Sequence, residues 1–270
     1  MDGIESRWRL RTLPSSAADV ARAARYDGER SDDLARRLGL PAVVAFDEVG
    51  STLDVAHALA ADGAASGTLV IADAQSAGRG RMGRSWRSEA GAGVWLTLIE
   101  RPVSSRALDV LSLRIGLALA PVLDAFAQDR VRLKWPNDLY VGDRKLAGVL
   151  VEARWRESVP EWVAIGVGIN VRVPHDEPNA IGLRDHVSRI AVLAASVPAI
   201  RAAAALEGPL GDSELAAFAD RDLAKGKGCI EPVVGTVEGI DASGALVVRV
   251  GSGTTAVRGG SLVLQTCPDA

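Results

Sequence analysis

A glycine- and arginine-rich stretch between positions 78 and 87 carries the side chains best suited to hold an anion. It reads GRGRMGRSWR, with arginines at 79, 81, 84 and 87 and glycines at 78, 80 and 83. Glycine lets backbone N–H groups approach a ligand closely, and guanidinium groups offer forked donors that match phosphate and carboxylate oxygens. The stretch therefore predicts an anion-binding loop. Because it has few large apolar side chains to offset its backbone entropy, it also predicts a loop that is mobile when empty.

A second pattern whose residues could take part in chemistry is KWPND at residues 134–138, followed after six residues by KLAG at 145–148. Pro, Asn and Asp favour turns and glycine allows close packing, so a plain hairpin would account for much of it. Lys145, however, opens an otherwise apolar run that ends at Val151, which is more than a turn requires. A third pattern, GVGIN at residues 166–170, indicates little by itself, since its glycines could simply relieve crowding against a helix.

The glycines at 78, 80 and 83 also fit the dinucleotide-binding pattern GxGxxG, with Glu100 lying 17 residues further on. That pattern requires a helix opening at the third glycine, whereas residues 84–93 show no 3.6-residue apolar periodicity. A Rossmann fold is therefore disfavoured, and a solvated basic loop without function remains an alternative. The chain contains no GxxxxGK[ST] pattern, so a P-loop would not hold ATP.

Together with Gln75, the sequence GRGRxGRxW resembles the ligand-binding loop of biotin protein ligases. KWPND…KLAG and GVGIN are similar to further motifs of that family, and the resemblance spans roughly residues 43 to 265 in the same order. It implies an α+β fold, in which a mixed or antiparallel sheet flanked by helices forms a biotin/lipoate ligase-like catalytic domain that precedes a small C-terminal SH3-like β-barrel. It also implies a two-step reaction. Biotin and Mg·ATP give biotinyl-5′-AMP and pyrophosphate, and a lysine of a biotin carboxyl carrier protein then takes the biotinyl group.

The resemblance implies a role for each matching residue. Arg81 and Lys145 are expected to be the catalytic cations, and Asp138 is expected to bind the metal as well as the nucleotide. The residues expected to bind biotin are Ser51, Thr52, Gln75, Gly78, Arg79, Gly80, Arg81, Trp86, Lys145 and Gly148. The residues expected to bind the nucleotide are Arg79, Arg81, Arg84, Trp86, Asn137, Asp138, Lys145 and Asn170. The sequence departs from the family pattern at Leu53, where Asn is frequent, and at Ser261, where an acidic residue is common.

Hydrophobic periodicity predicts the elements that must position these residues. Strands are expected at 43–46, 67–74, 93–100, 131–135, 138–141, 145–154 and 162–171. Helices are expected at 31–40, 55–61, 108–126, 191–205 and 213–223, with Ser51 as an N-cap. Pro121 should kink or split one helix, and Pro198 should interrupt another. Nine glycines between 226 and 260 indicate a small β-barrel with a core of its own.

These elements divide the chain into three predicted parts. Residues 1–40 form an N-terminal helical extension, residues 41–226 the catalytic domain and residues 227–270 the SH3-like domain. No recognition helix follows the helix at 31–40, so DNA binding is not expected.

Composition limits the function further. The 270 residues include 31 basic and 34 acidic side chains, with a pI near 5.7, which disfavours a general nucleic-acid or membrane-surface role. Cys229 and Cys267 are too few for a disulfide framework, and the N-terminus has no apolar signal core, so we expect a cytoplasmic protein. Two alternative functions stay open: a lipoate or octanoate transferase of the same superfamily, and a non-enzymatic nucleic-acid-binding module. The sequence also leaves open whether the protein forms a homodimer.

Overall fold

The computed structural model describes residues 22–102 and 105–265. Residues 1–21 of the predicted N-terminal extension lie outside the described residues, as does Cys267. Two short strands come first, β1 (Arg25–Tyr26) and β2 (Glu29–Arg30). The main sheet contains β3 (Val43–Val49), β4 (Thr68–Gln75), β5 (Gly93–Glu100), β6 (Val131–Lys134), β7 (Asp138–Val141), β8 (Arg144–Arg156) and β9 (Val159–Asn170). The helices are α1 (Ser31–Leu38), α2 (Thr52–Ala61), α3 (Leu111–Asp124), α4 (Arg189–Ala204) and α5 (Asp212–Arg221).

The main sheet has seven strands in the order β3-β4-β5-β9-β8-β7-β6. Only the β3–β4 pair is parallel, and the other neighbours in this sheet run antiparallel. Both faces are buried, because alternate residues of β4 enter different apolar clusters: Leu69 and Ile71 pack on one side, and Val70 and Ala72 on the other. α3 packs against α4 and the sheet on the first side, while α2 packs on the second. The predicted α+β fold with a mixed sheet flanked by helices is confirmed.

Two prolines lie inside helices without breaking them. α3 continues through Pro121 to Asp124, and α4 continues through Pro198 to Ala204, so the predicted interruption at Pro198 is wrong. A proline removes one backbone hydrogen bond, whereas α4 stays continuous from Arg189 to Ala204 and buries Val197 beside the proline. Apolar packing therefore outweighs the local cost.

Residues after 226 form a second sheet whose five strands are antiparallel. Its strands are β10 (Gly228–Glu231), β11 (Gly235–Ile240), β12 (Leu246–Val250), β13 (Gly253–Val257) and β14 (Val263–Leu264). Their order is β13-β12-β11-β10-β14, which agrees with the predicted SH3-like domain.

The expected separate core of this small domain is wrong, because Val237 and Val248 belong to the same apolar cluster as one face of the main sheet. Trp135 Nε1 also donates a hydrogen bond of 2.9 Å to the carbonyl oxygen of Gly244. A glycine-rich sheet has too few large apolar side chains to bury a core by itself.

Buried charges join distant parts of the fold. Arg114, in α3, is 2% exposed, and its Nε lies 2.6 Å from Glu214 Oε1. Arg189 contacts Asp27 and Asp73, which attaches the segment before α1 to the sheet. Among residues 22–102 and 105–265, no helix is long and apolar enough to cross a membrane.

Candidate active site

A cleft of about 250 Å³ opens at one end of the main sheet, between the arginine loop and the second sheet. The arginine loop here means residues 78–87. The lining side chains come from the start of α2, the end of β4, this loop, the β6–β8 segment, β9 and residues 260–262. Cavities that hold organic ligands typically measure about 300–1,000 Å³, so the volume of this cleft lies just below that range.

The inner end of the cleft is neutral and polar. Ser51 caps α2, as predicted, because its Oγ accepts a hydrogen bond of 3.3 Å from the backbone N–H of Leu53. Gln75 Oε1 accepts from the backbone N–H and the hydroxyl of Thr52, at 2.9 and 3.1 Å. Gln75 Nε2 donates to Ser88 Oγ at 2.7 Å, which ties β4 to the end of the loop.

The arginine loop folds as a small hairpin. The backbone N–H of Trp86 donates to the carbonyl oxygen of Gly78 at 2.8 Å, and that of Gly80 donates to the carbonyl oxygen of Arg84 at 2.7 Å. No helix begins at the third glycine, which agrees with the rejection of a Rossmann fold. Met82 sits at the tip with φ 56 and is 71% exposed. The loop also contacts the second sheet, because Ser261 Oγ lies 3.5 Å from Met82 Sδ.

Trp86 turns its indole inward over the glycines of β8 and β9. A Cβ added at Gly168 would lie 2.5 Å from the indole, and one added at Gly148 would lie 3.1 Å from it. The ammonium of Lys145 lies 5.1 Å from the ring centroid, a cation–π distance. Trp86 Nε1 is buried and has no hydrogen-bond partner among the described residues, so packing holds the ring in place.

Lys145 and Asp138 meet at the centre of the cleft. Lys145 Nζ lies 2.7 Å from Asp138 Oδ1. Asn137 Nδ2 donates to the carbonyl oxygen of Val149 at 2.8 Å, and Asn170 Nδ2 donates to that of Lys145 at 3.3 Å. Both amides therefore fix the backbone that carries the ion pair.

The cations that line the cleft fall into two groups. Lys145 and Arg79 pair with carboxylates, whereas Arg81, Arg84 and Lys134 form no ion pair within the part of the chain that the structure describes. Burial lowers the pKa of Arg81 and of Lys134, and the nearby Asp138 partly offsets that effect in both cases. Arg81 and Lys134 are half-buried, whereas Arg84 is exposed. Cations without a counter-ion suit an anionic ligand, because such a ligand would supply the missing charge.

Lys134 is the lining cation that the sequence reasoning did not assign to the site. Its ammonium lies 5.5 Å from the ring centroid of Tyr140, which also lines the cleft. Burial, together with Asp138, raises the pKa of Tyr140 to about 12. The sequence contained a signal for this position. Lys134 and Asp138 flank a predicted hairpin turn, and residues that face each other across such a turn lie on the same face of the two strands.

Most of the predicted site residues line this cleft. The exceptions are Gly78, which packs behind the loop where a Cβ would lie 2.4 Å from the carbonyl oxygen of Trp86, and Asn170, whose amide holds the Lys145 carbonyl. Arg79 lies at the rim and points toward Asp54 and Glu152. The assigned ligand contacts of all the predicted site residues, these three included, stay predictions.

Asp138 fits the expected Mg²⁺ in a limited way. It is the one acidic side chain among the described residues of the cleft, and those residues contain no group of three or more potential metal ligands. Mg²⁺ commonly binds one or two carboxylates and takes its remaining ligands from phosphates and water. The donor set therefore suits a metal that arrives with a polyphosphate.

Comparison with known proteins agrees with this architecture. The profile of the Biotin/lipoate A/B protein ligase family matches residues 49–170, and that of the Biotin protein ligase C terminal domain matches residues 230–264. Among solved structures, the biotin protein ligase from Aquifex aeolicus in complex with biotin and ATP has a TM-score of 0.69 and 24% identity. That match covers 83% of this chain and 98% of the other, and it shows a shared fold.

Sequence relatives narrow the class. The biotin–[acetyl-CoA-carboxylase] ligase of Mycobacterium tuberculosis is 35% identical over 242 residues, which are 80% of this chain and 86% of the relative. The chain belongs to the biotin protein ligase family. The bifunctional ligase/repressor BirA of Bacillus subtilis is 40% identical over 141 residues, which are 52% of this chain and 43% of that protein. The matched part thus spans about two fifths of the length of such bifunctional relatives.

Proposed function

We propose that this protein is an ATP-dependent biotin protein ligase that forms biotinyl-5′-AMP and transfers biotin to a lysine of a biotin carboxyl carrier protein. The observation that carries the proposal is the cleft, in which the arginine loop and the Lys145–Asp138 pair face each other. The Mycobacterium relative is named for ligation of biotin to acetyl-CoA carboxylase, and the Aquifex neighbour holds biotin and ATP.

The neutral inner end of the cleft suits the ureido group of biotin. The hydroxyl of Ser51 accepts from Leu53, which leaves its proton available to donate. Gln75 uses one of its two amide protons on Ser88, which leaves the other. The indole of Trp86 supplies an apolar cover beside these polar groups. Biotin would then lie with its carboxylate toward Lys145 and Arg81.

The first step brings two anions together. A carboxylate oxygen of biotin attacks the α-phosphorus of ATP, and the bond from that phosphorus to the leaving pyrophosphate breaks. Fixed cations must reduce the repulsion, and Arg81, Arg84 and Lys134 are available because no carboxylate in the described residues neutralises them. We assign Lys134 and Arg84 to the phosphates, and Arg81 and Lys145 to the reacting centre. No general base is required, because the nucleophile is already ionised.

Asp138 has two roles in this proposal. It holds the ammonium of Lys145 in place at 2.7 Å, and it would hold Mg²⁺, which would neutralise phosphate charge when bound. The hydrogen bonds that the Asn137 and Asn170 amides donate to backbone carbonyls hold the strands that carry this ion pair.

In the second step an unprotonated lysine amine of the carrier attacks the acyl carbon, and AMP leaves with the electron pair of the broken mixed-anhydride bond. The acyl-adenylate is easily hydrolysed, so the arginine loop has to exclude water until the carrier arrives. Contacts of Met82 with Ser261 allow the second sheet to contribute to this closure.

The test is pyrophosphate release by the purified protein with biotin and ATP, followed by transfer of labelled biotin to a carrier domain. We expect release to depend on biotin and transfer to require an acceptor lysine. Lipoate and octanoate serve as parallel substrates. Turnover with either of these but not with biotin would assign the chain to the transferase alternative, and no turnover with any of them would refute an adenylating function.

A further inference from the structure

The rim of the arginine loop is attached to the framework through Arg79. Its Nη2 lies 2.9 Å from Asp54 Oδ1, in the first turn of α2, and 3.2 Å from Glu152 Oε2, on β8. Both carboxylates belong to elements of the fixed framework, since α2 packs on the sheet and Glu152 pairs with Ala164 in the β8–β9 ladder. One guanidinium therefore joins the loop to a helix and to a strand.

Glu152 is itself held by two further side chains. Trp162 Nε1 donates to His57 Nδ1 at 2.9 Å, and His57 Nε2 lies 2.9 Å from Glu152 Oε2. An indole N–H can only donate, so Nδ1 must accept, and a neutral imidazole then carries its proton on Nε2. That proton is donated to Glu152. The hydrogen bond from His57, supported by Arg79, lowers the pKa of Glu152, so the carboxylate stays ionised and directed at Arg79.

The position of Arg79 along the loop gives this network a consequence for the cleft. Arg81 follows two residues later, is half-buried and lines the cleft. The two sides of the loop pair with each other through the Arg79–Ser85 bridge and the Gly80–Arg84 hydrogen bond. Arg81 lies inside this hairpin, and Trp86 follows it directly. Holding the guanidinium of Arg79 therefore restricts where Arg81 and Trp86 can lie.

We propose that Glu152 and His57, with Asp54, form a latch that positions the arginine loop through Arg79, and that Arg79 acts as a positioning residue rather than as a ligand contact. The name latch is used below for these residues together with Arg79 and Trp162, so it comprises Asp54, His57, Arg79, Glu152 and Trp162. The catalytic consequence rests on the proposed function, whereas the attachment of the loop does not. The loop is then partly pre-ordered before ligand binding, and ligand closes an already anchored hairpin.

The first experiment measures the attachment in the free protein, without turnover. Trypsin cleaves after Arg81 or Arg84 only when the loop opens, so the cleavage rate reports the open population. Glu152→Gln keeps the shape and the contact with His57 but removes the charge. We expect cleavage to be about two- to fivefold faster, the size expected from losing a partly exposed ion pair.

The matched control is Glu161→Gln on the same hairpin. Glu161 pairs with Arg156 at 2.5 Å, away from the loop, so this variant should be cut at the wild-type rate. Asp54→Asn is an independent second variant from another element, and it should accelerate cleavage in the same direction as Glu152→Gln. Equal cleavage of the wild type, Glu152→Gln and Asp54→Asn would overturn the latch.

The second experiment separates positioning from ligand contact by combining Arg79→Gln with Glu152→Gln. If Arg79 acts through Glu152, the double variant should lose no more than Arg79→Gln does. The loss should appear as a rise of about fivefold in the KM for biotin with kcat within about twofold, because fewer molecules start in the competent state. The proposal would be refuted if the fold-losses of the two single variants multiplied in the double variant, or if only Arg79→Gln lowered kcat. Either result would make Arg79 a ligand contact. A chain that releases no pyrophosphate with biotin would refute the proposed function, and the trypsin result would still decide the latch.

Discussion

The packing of Trp86 on Gly168 allows a substitution that acts on the loop from beneath. An alanine Cβ at position 168 would lie 2.5 Å from the indole, whereas ordinary contact begins near 3.4 Å, so the ring must retreat by about 1 Å. Misplacement by about 1 Å of a group that positions substrate can cost about 100-fold in rate. We therefore expect Gly168→Ala to lower kcat/KM for adenylation about 100-fold, or ~2.7 kcal/mol of transition-state free energy.

The neighbouring glycine provides a graded comparison. At Gly148 the added Cβ would lie 3.1 Å from the same ring, so a shift of about 0.3 Å suffices and the loss should stay below about tenfold. Pyrophosphate release at varied biotin and ATP measures both variants. The thermal midpoint should change by no more than about 4 °C, because the indole lies on a loop that can move.

A double variant tests the cause directly. If the clash with the indole is responsible, Gly168→Ala should have little further effect in a Trp86→Ala background. A Gly168→Ala protein that keeps kcat/KM within about threefold of the wild type would refute the reasoning. An equally large loss in the Trp86→Ala background would refute the clash as its cause.

Four further predictions follow from the charges and the shared core. Lys134→Met should raise the KM for ATP by at least ~10-fold with little change in the KM for biotin, because it removes one half-buried cation from the proposed phosphate site; an unchanged KM for ATP would exclude that role. Arg81→Ala and Lys145→Ala should each remove at least ~2 kcal/mol of transition-state stabilisation, and near-normal pyrophosphate release from both would refute the assignment. Arg114→Ala should cost about 1–3 kcal/mol in denaturant unfolding, because it leaves Glu214 and the carbonyl oxygens of Leu206 and Pro209 without their buried donor. The hydrogen bond from Arg114 lowers the pKa of Glu214 below its ordinary value. The stabilisation from this pair is therefore complete above the ordinary pKa of a glutamate and is lost as the pH falls through the lower, folded-state pKa, so the variant should lose less stability than the wild type in that acidic range. Deleting residues 227–270 should lower the unfolding midpoint of the remaining chain as well as ligation, since Val237 and Val248 belong to the common core; an unchanged midpoint would mean that the second sheet stands alone.

Local patterns in the sequence determined the elements of this protein. The strands at 68–75 and 93–100 and the N-cap at Ser51 follow from apolar runs and from a side chain that bonds the backbone two residues away. The motif residues Arg81, Asp138 and Lys145 were predicted to share a site, and the structure brings them to one cleft. These features depend on interactions over a few residues or on motifs that carry their own chemistry.

Tertiary structure decided how the charges are paired and where the core ends. Arg79 contacts Glu152, 73 residues away, only because the sheet order places the loop beside β8. Lys134 lines the cleft and forms no ion pair among the described residues, because Asp138 pairs with Lys145. The second sheet completes the apolar core of the main sheet. A charge interacts with whatever lies within a few ångströms, and an apolar side chain packs on whatever surface is available. Those distances are set by the packing of the whole chain, so no local pattern in the sequence contains them.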